Sequence, residues 1–150
     1  MSAVAPIPTE TYKLGFIGAG KMAESIARGV VKSGVLPASR IKTAHKGARR
    51  AAFESFGVGV SDHNNQVVEN SDVVIFSVKP QVVKDAILQL RPLLSEKKLL
   101  VSVVAGVKLK DLQEWAGHDR FIRIMPNTPA AVGEGASGII FIMFYIYLYF

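Results

Sequence analysis

The sequence predicts an α/β protein, a sheet of parallel strands with helices wound over both faces. Three observations carry this. Lys13–Ala27 reads as strand, glycine turn and helix in immediate succession. Val73-Val74-Ile75-Phe76-Ser77-Val78 and Leu99–Val104 are continuous apolar runs rich in β-branched residues, which suit strands buried on both faces. Strand and helix patterns alternate along the remaining chain, as they do where crossover helices join parallel strands.

Taken in order, the first strand ends at Gly18-Ala19-Gly20, and Met22, Ile26 and Val30 then recur at helical spacing. That helix should stop near Ser33, before Gly34. Arg40–Ala44 is a short second strand, Ala48–Phe56 a helix ended by Gly57, and Val58–Val60 a brief third strand. Asp62 is placed to cap a helix that runs to about Asn70. After the Val73–Val78 strand, Pro80 suits the first turn of a helix carrying Val83, Ile87, Leu90 and Leu94. Leu109, Leu112 and Trp115 mark a short helix stopped by Gly117, and Phe121–Ile124 is a sixth strand. Two βαβαβ halves of this kind make a Rossmann-like, doubly wound domain with its ligand at the carboxyl ends of the strands.

The glycine turn gives the first functional signal. Gly18, Gly20 and Ala23 form G-x-G-x-x-A between a strand and a helix. The first glycine permits the tight turn, the second lets the backbone approach a pyrophosphate, and the small third residue lets helix and strand pack closely. The helix N-terminus adds free N–H groups and a partial positive charge. In an NAD site an acidic residue near the end of the second strand binds the ribose 2′-hydroxyl. No Asp or Glu stands between Glu24 and Glu54, and Lys46, Arg49 and Arg50 lie there instead. A guanidinium can bind a 2′-phosphate bidentately, which points to NADPH, with NADH possible. Ser77-Val78-Lys79-Pro80, Val104-Ala105-Gly106 and Met125-Pro126-Asn127-Thr128-Pro129 leave the later strands on the same side. The prolines about Asn127 and Thr128 would hold those polar groups toward the nicotinamide.

Composition narrows the classes. The net charge of +6 favours an anionic ligand, but lysines and arginines are not clustered with aromatics as a nucleic-acid surface requires. Without cysteine there is no disulfide, thiolate metal site or cysteine nucleophile. His45, His63 and His118 are scattered, so no metal is expected. No G-x-S-x-G or Ser/His/Asp arrangement offers a nucleophile. Hydride transfer needs none, because the cofactor carries the chemistry. Residues 1–12 read as a flexible leader of a cytoplasmic protein, 13–138 as the NAD(P)-binding domain, and 139–150 as an atypical apolar tail.

Gly15–Ala23, Ser77-Val78-Lys79-Pro80, Val103-Val104-Ala105-Gly106, Met125–Pro129 and Leu109–Gly117 together resemble pyrroline-5-carboxylate reductase, most of all the plant enzymes, over about residues 7–138. The resemblance implies NAD(P)H-dependent reduction of 1-pyrroline-5-carboxylate to L-proline, with a small imino acid as substrate. It places cofactor contacts at Ile17, Gly18, Ala19, Gly20, Lys21 and Met22, near His45, and at Asn64. Further contacts fall at Ser77, Val78, Lys79 and Pro80, and at Val103, Val104, Ala105 and Gly106. Where this chain has His45-Lys46-Gly47-Ala48-Arg49-Arg50, the family has a slightly longer segment bearing Ser and Asn.

The resemblance stops after Gly138. The family continues into a helical domain that forms homo-oligomers and supplies much of the imino-acid site, so the catalytic residues are expected in that part. The tail Ile139–Phe150 has no charge. As a helix it would span about 18 Å, short of the ~30 Å bilayer core, so no membrane partner is expected. Its tyrosines recur at strand period. The leading explanation is a truncated or mis-spliced product, and the other is a short isoform whose tail adds an edge strand. Two alternative functions stay open: an NADP-binding module without turnover, and a related imine or β-hydroxyacid dehydrogenase.

Overall fold

The central strands send alternate side chains to opposite faces, and the fold follows from that alternation. Residues 12–124 of the computed structural model are described; the tail, the Met125–Pro129 loop with Asn127, and residues 1–11 lie outside them. Among the described residues six strands form one parallel sheet in the order β3-β2-β1-β4-β5-β6. They are β1 (Leu14–Ile17), β2 (Ile41–Ala44), β3 (Gly59–Ser61), β4 (Val73–Phe76), β5 (Leu99–Ser102) and β6 (Phe121–Arg123). The helices are α1 (Lys21–Lys32), α2 (Arg49–Glu54), α3 (Asn64–Glu69), α4 (Pro80–Leu90) and α5 (Leu109–Ala116). No described helix is long and apolar enough to cross a membrane.

Leu14 and Phe16 of β1, Val73 and Ile75 of β4, and Leu99 and Val101 of β5 pack with Ala23, Ile26, Ala27 and Val30 of α1 and Phe53 of α2. The intervening residues Ile17, Val74, Phe76 and Leu100 pack with Val67 and Val68 of α3, Val83 and Ile87 of α4, and Leu112 of α5. Strand residues at period two thus feed two separate cores, which is what winds helices over both faces. Gly15 sits among the second set for a steric reason. A β-carbon there would lie 2.2 Å from Ser71 Oγ and 2.7 Å from Val67 Cγ1. Pro80 occupies the first position of α4, where no intrahelical N–H bond is required. Gly117 closes α5 at φ 84°, its N–H bonded to the Gln113 carbonyl at 2.9 Å.

The structure shifts several expected boundaries. β3 runs one residue later than expected because Gly59, Val60 and Ser61 pair with Lys42, Thr43 and Ala44. Val58 is buried instead, its N–H on the Phe53 carbonyl at 3.2 Å. Consequently His63, not Asp62, is the N-cap of α3, with its N–H on Gln66 Oε1 at 3.3 Å. Asp62 accepts from Arg50 Nη1 at 3.0 Å. The ladder of β5 ends at Ser102, two residues early, although Val103 and Val104 remain buried. Leu109 is exposed and Trp115 half-buried, the Lys84 ammonium standing 5.7 Å from the Trp115 ring centroid. Tyr12 falls in the expected leader, yet it is only 2% exposed and belongs to the core.

Candidate functional site

In this strand order β1 lies between β2 and β4, and the connections diverge to opposite sides of it. That switch point opens a crevice beyond the carboxyl ends of β1 and β4, where doubly wound sheets bind ligands. The loop after β1 holds Gly18, Ala19 and Gly20; the loop after β4 holds Ser77, Val78 and Lys79. The two are fixed to each other. Ser77 donates its N–H to the Ile17 carbonyl at 2.8 Å, and a β-carbon on Gly18 would meet the Ser77 carbonyl oxygen at 2.3 Å. Gly18 has φ 110°, a conformation that also favours glycine.

Gly20 differs. Its φ of −80° and ψ of −173° suit any residue, and a β-carbon built on it meets nothing within 4 Å. The chain itself gives no reason for glycine there; the open space does. Gly20 is the N-cap of α1 and has no side chain to accept from the first turn. The N–H groups of Lys21, Met22 and Ala23 have no acceptor inside the helix. Ala23 is fully buried and brings α1 close to the sheet.

Meanwhile, the four carbonyls before that turn are all bound within the chain. Ile17 O accepts from Ser77 N, Gly18 O from Thr43 Oγ1 at 3.1 Å, Ala19 O from Arg49 Nε at 3.0 Å, and Gly20 O from Glu24 N at 3.0 Å. With its acceptors engaged, the loop presents donors and the positive end of α1 to the crevice. This arrangement suits an anion, and the open space at Gly20 has the character a pyrophosphate requires.

The other predicted residues divide. Val103 and Val104 are buried at the end of β5, and Ala105 and Gly106 are exposed beyond them. Lys21, Lys79 and Pro80 are exposed at the starts of α1 and α4. His45 and Asn64 come together, lining a cavity of about 440 Å³ with Ala44, Asp62, His63 and Asn65 at the ends of β2 and β3. A larger hollow, about 580 Å³ at Glu96 and Gly117–Arg120, lies before β5 and β6, at the opposite edge of the sheet. Only the crevice adjoins the glycine turn, so the candidate site is placed there and not at this hollow. Lys46 is exposed on the lip after β2.

Arg49 and Arg50, adjacent in sequence, part company. Arg49 reaches the glycine loop, donating to Ala19 O and pairing with Glu24. Arg50 turns away, to Glu54 Oε1 at 2.8 Å, Val60 O at 2.8 Å and Asp62 Oδ1 at 3.0 Å. Glu24 also takes Arg28 Nε at 3.0 Å. The Arg49 hydrogen bond, working against burial and joined by that of Arg28, holds the Glu24 carboxyl below its ordinary value.

Sequence reasoning did not find Thr43 or Glu24. Thr43 is fully buried, and its hydroxyl lies 3.1 Å from Gly18 O and 3.3 Å from Phe16 O. The one available signal was a threonine on the inward face of a short strand.

A parallel sheet with a G-x-G-x-x-A turn at its switch point, an open cradle at the second glycine and donors aimed into it defines a dinucleotide-binding domain of the Rossmann type. Residues 13–106 match the family described as NADP oxidoreductase, coenzyme F420-dependent, and the chain belongs to that family. It is 71% identical over 136 residues to a pyrroline-5-carboxylate reductase of Glycine max, covering 89% of this chain and 50% of that protein. The solved pyrroline-5-carboxylate reductase of Coxiella burnetii superposes with a TM-score of 0.73 at 36% identity, over 81% of this chain and 46% of that one. A Plasmodium falciparum pyrroline carboxylate reductase solved with NADP bound gives a TM-score of 0.70 at 26% identity, over 83% and 45% of the two chains. The chain spans about half the length of the curated relatives it matches.

Proposed function

We propose that this chain is the cofactor-binding portion of a pyrroline-5-carboxylate reductase, which uses NADPH to reduce 1-pyrroline-5-carboxylate to L-proline. The observation that carries the reading is the space at Gly20, the N-cap of α1, where a β-carbon would meet none of the described residues within 4 Å. The 71% identity to a plant enzyme of that name supplies the reaction. The bound dinucleotide would supply a hydride.

The chain's own residues bind and orient. Gly18–Met22 hold the pyrophosphate, the cavity at His45 and Asn64 receives the adenosine, and Ser77–Pro80 with Val103–Gly106 border the nicotinamide half. The preference for NADPH rests on the lip after β2, where Lys46 is exposed and no acidic residue stands between Glu24 and Glu54. Asn127 keeps the role expected from its loop, and a cytoplasmic location belongs to the same proposal, while homo-oligomer formation is assigned to the family's helical domain and not to these residues.

The test is a titration of the 150-residue polypeptide with NADPH and NADH by thermal shift, followed by an assay of imine reduction. We expect a shift with NADPH, a smaller one with NADH, and negligible turnover by these residues alone. Close placement of two reactants accounts for about 7–11 kcal/mol of a barrier. The described residues provide only the cofactor side of such a site. Absence of any shift with either dinucleotide would sink the proposal. Family-like turnover would show that these residues carry their own imino-acid site.

A further inference from the structure

Read from the sequence, Arg49 is a ligand for the 2′-phosphate. The geometry points to another role: we infer that Arg49 is a positioning residue that holds the glycine loop ready for the pyrophosphate, by fixing the Ala19 carbonyl and compensating the Glu24 carboxylate. The inference rests on the dinucleotide reading given above.

One planar guanidinium serves both contacts. Its Nε donates to Ala19 O at 3.0 Å, and its Nη2 engages Glu24 Oε2. Ala19 lies between the two glycines of the turn, so this bond fixes which way the intervening peptide faces. With the carbonyl held toward α2, the opposite side of the loop is left to its N–H groups. Glu24 is the more unusual partner. It stands in the first turn of α1, where a carboxylate suits the helix dipole but opposes an incoming phosphate. Arg49 and Arg28 together compensate that charge, so the helix end can keep its attraction for an anion.

The anchor for this clasp is firm. Arg49 opens α2, and α2 is held by Phe53, which is fully buried in the core. Arg28 adds a second tie between α1 and the α2 region, its guanidinium 4.3 Å from the Phe56 ring centroid and 3.5 Å from Ser55 Oγ. The Arg49 side chain is 29% exposed, so most of it is enclosed by what it joins. A lysine keeps the charge but lacks the fixed fork of donors with which one planar group faces both partners.

The test uses the 150-residue polypeptide with Arg49→Met, Arg49→Lys, Glu24→Gln and the double variant Glu24→Gln/Arg49→Met. Each single Arg49 variant should weaken NADPH and NADH by the same factor, about tenfold, the size of one lost charge-assisted hydrogen bond. Glu24→Gln in the Arg49→Met background should recover part of that loss by removing the uncompensated carboxylate. Amide hydrogen exchange at Gly18–Ala23, measured without any dinucleotide, should be faster in Arg49→Met than in the parent. If Arg49→Met does not fold, Arg49→Lys carries the same comparisons. A variant that keeps full NADH affinity while the NADPH advantage disappears would overturn the inference and make Arg49 a phosphate ligand. Unchanged exchange in the loop would overturn it too. A parent that binds neither dinucleotide would defeat the functional reading, and the exchange measurement would still decide the role of Arg49 in the loop.

Discussion

The carbonyl oxygen of Ser77 occupies the space a side chain would need at Gly18: a β-carbon built there would lie 2.3 Å from it. Two loops that leave neighbouring strands are therefore one unit, joined again by the bond from Ser77 N to Ile17 O. The first glycine of the motif serves this internal contact, whereas the second faces open space. The two glycines should respond to substitution in opposite ways.

Gly18→Ala should lower stability by about 1–3 kcal/mol, the range of overpacking a filled site, with further strain from φ 110°. Urea unfolding would read this as a lower midpoint at unchanged slope. A midpoint equal to the parent's would mean that the Ser77 loop yields at no cost.

Gly20→Val should leave the fold nearly as stable, with a loss of about 1 kcal/mol or less for a poorer N-cap residue. It should abolish NADPH binding, because the branched side chain enters the cradle. Calorimetric titration of the folded variant is the check, and parent-like affinity would assign Gly20 to the turn alone.

Thr43→Val keeps the shape of the side chain and deletes its hydroxyl. The Gly18 carbonyl then loses its donor in a partly buried setting, at a cost of about 1 kcal/mol. Affinity for both NADPH and NADH should fall together as the loop loosens. Undiminished stability on urea unfolding would show that this hydroxyl contributes nothing to the loop.

Acid should act through Glu24. Its carboxyl is held below the ordinary 4.5 mainly by the Arg49 hydrogen bond, against desolvation, with the Arg28 hydrogen bond assisting. A carboxyl whose folded value is depressed contributes stability in full above its unfolded value and loses it as pH falls through the folded one. The stability difference between the parent and Glu24→Gln should therefore be largest near neutrality and shrink below about pH 4.5. A difference that stays constant from pH 7 into acid would remove Glu24 from the acid response.

Lys46→Glu places a carboxylate on the exposed lip after β2, where NAD sites carry one. The affinity for NADPH should fall about tenfold or more, and that for NADH should hold or rise. A variant that still prefers NADPH as strongly as the parent would move the 2′-phosphate away from Lys46.

Local pattern determined much of this protein. The apolar runs of β1, β4 and β5, the spacing of Gly18, Gly20 and Ala23, Pro80 at the start of α4 and Gly117 at the end of α5 are readable in the sequence because they answer to short-range causes: side-chain period, allowed φ and the unpaired groups of helix ends. The same causes located the crevice, since the loop after each strand of a parallel sheet emerges at one edge.

Tertiary structure decided what no local pattern could. It separated Arg49 from Arg50, whose adjacent backbones send one guanidinium to Ala19 and Glu24 and the other to Glu54, Val60 and Asp62. It brought the Thr43 hydroxyl to a carbonyl 25 residues earlier in the chain. It gave Gly15 a packing role against Ser71 and Val67. It also moved the cap of α3 from Asp62 to His63, through the one-residue register of β3 on β2. In each case the partner is distant in sequence, and the choice among partners was made by the order in which the strands pair and by the face on which each helix lies.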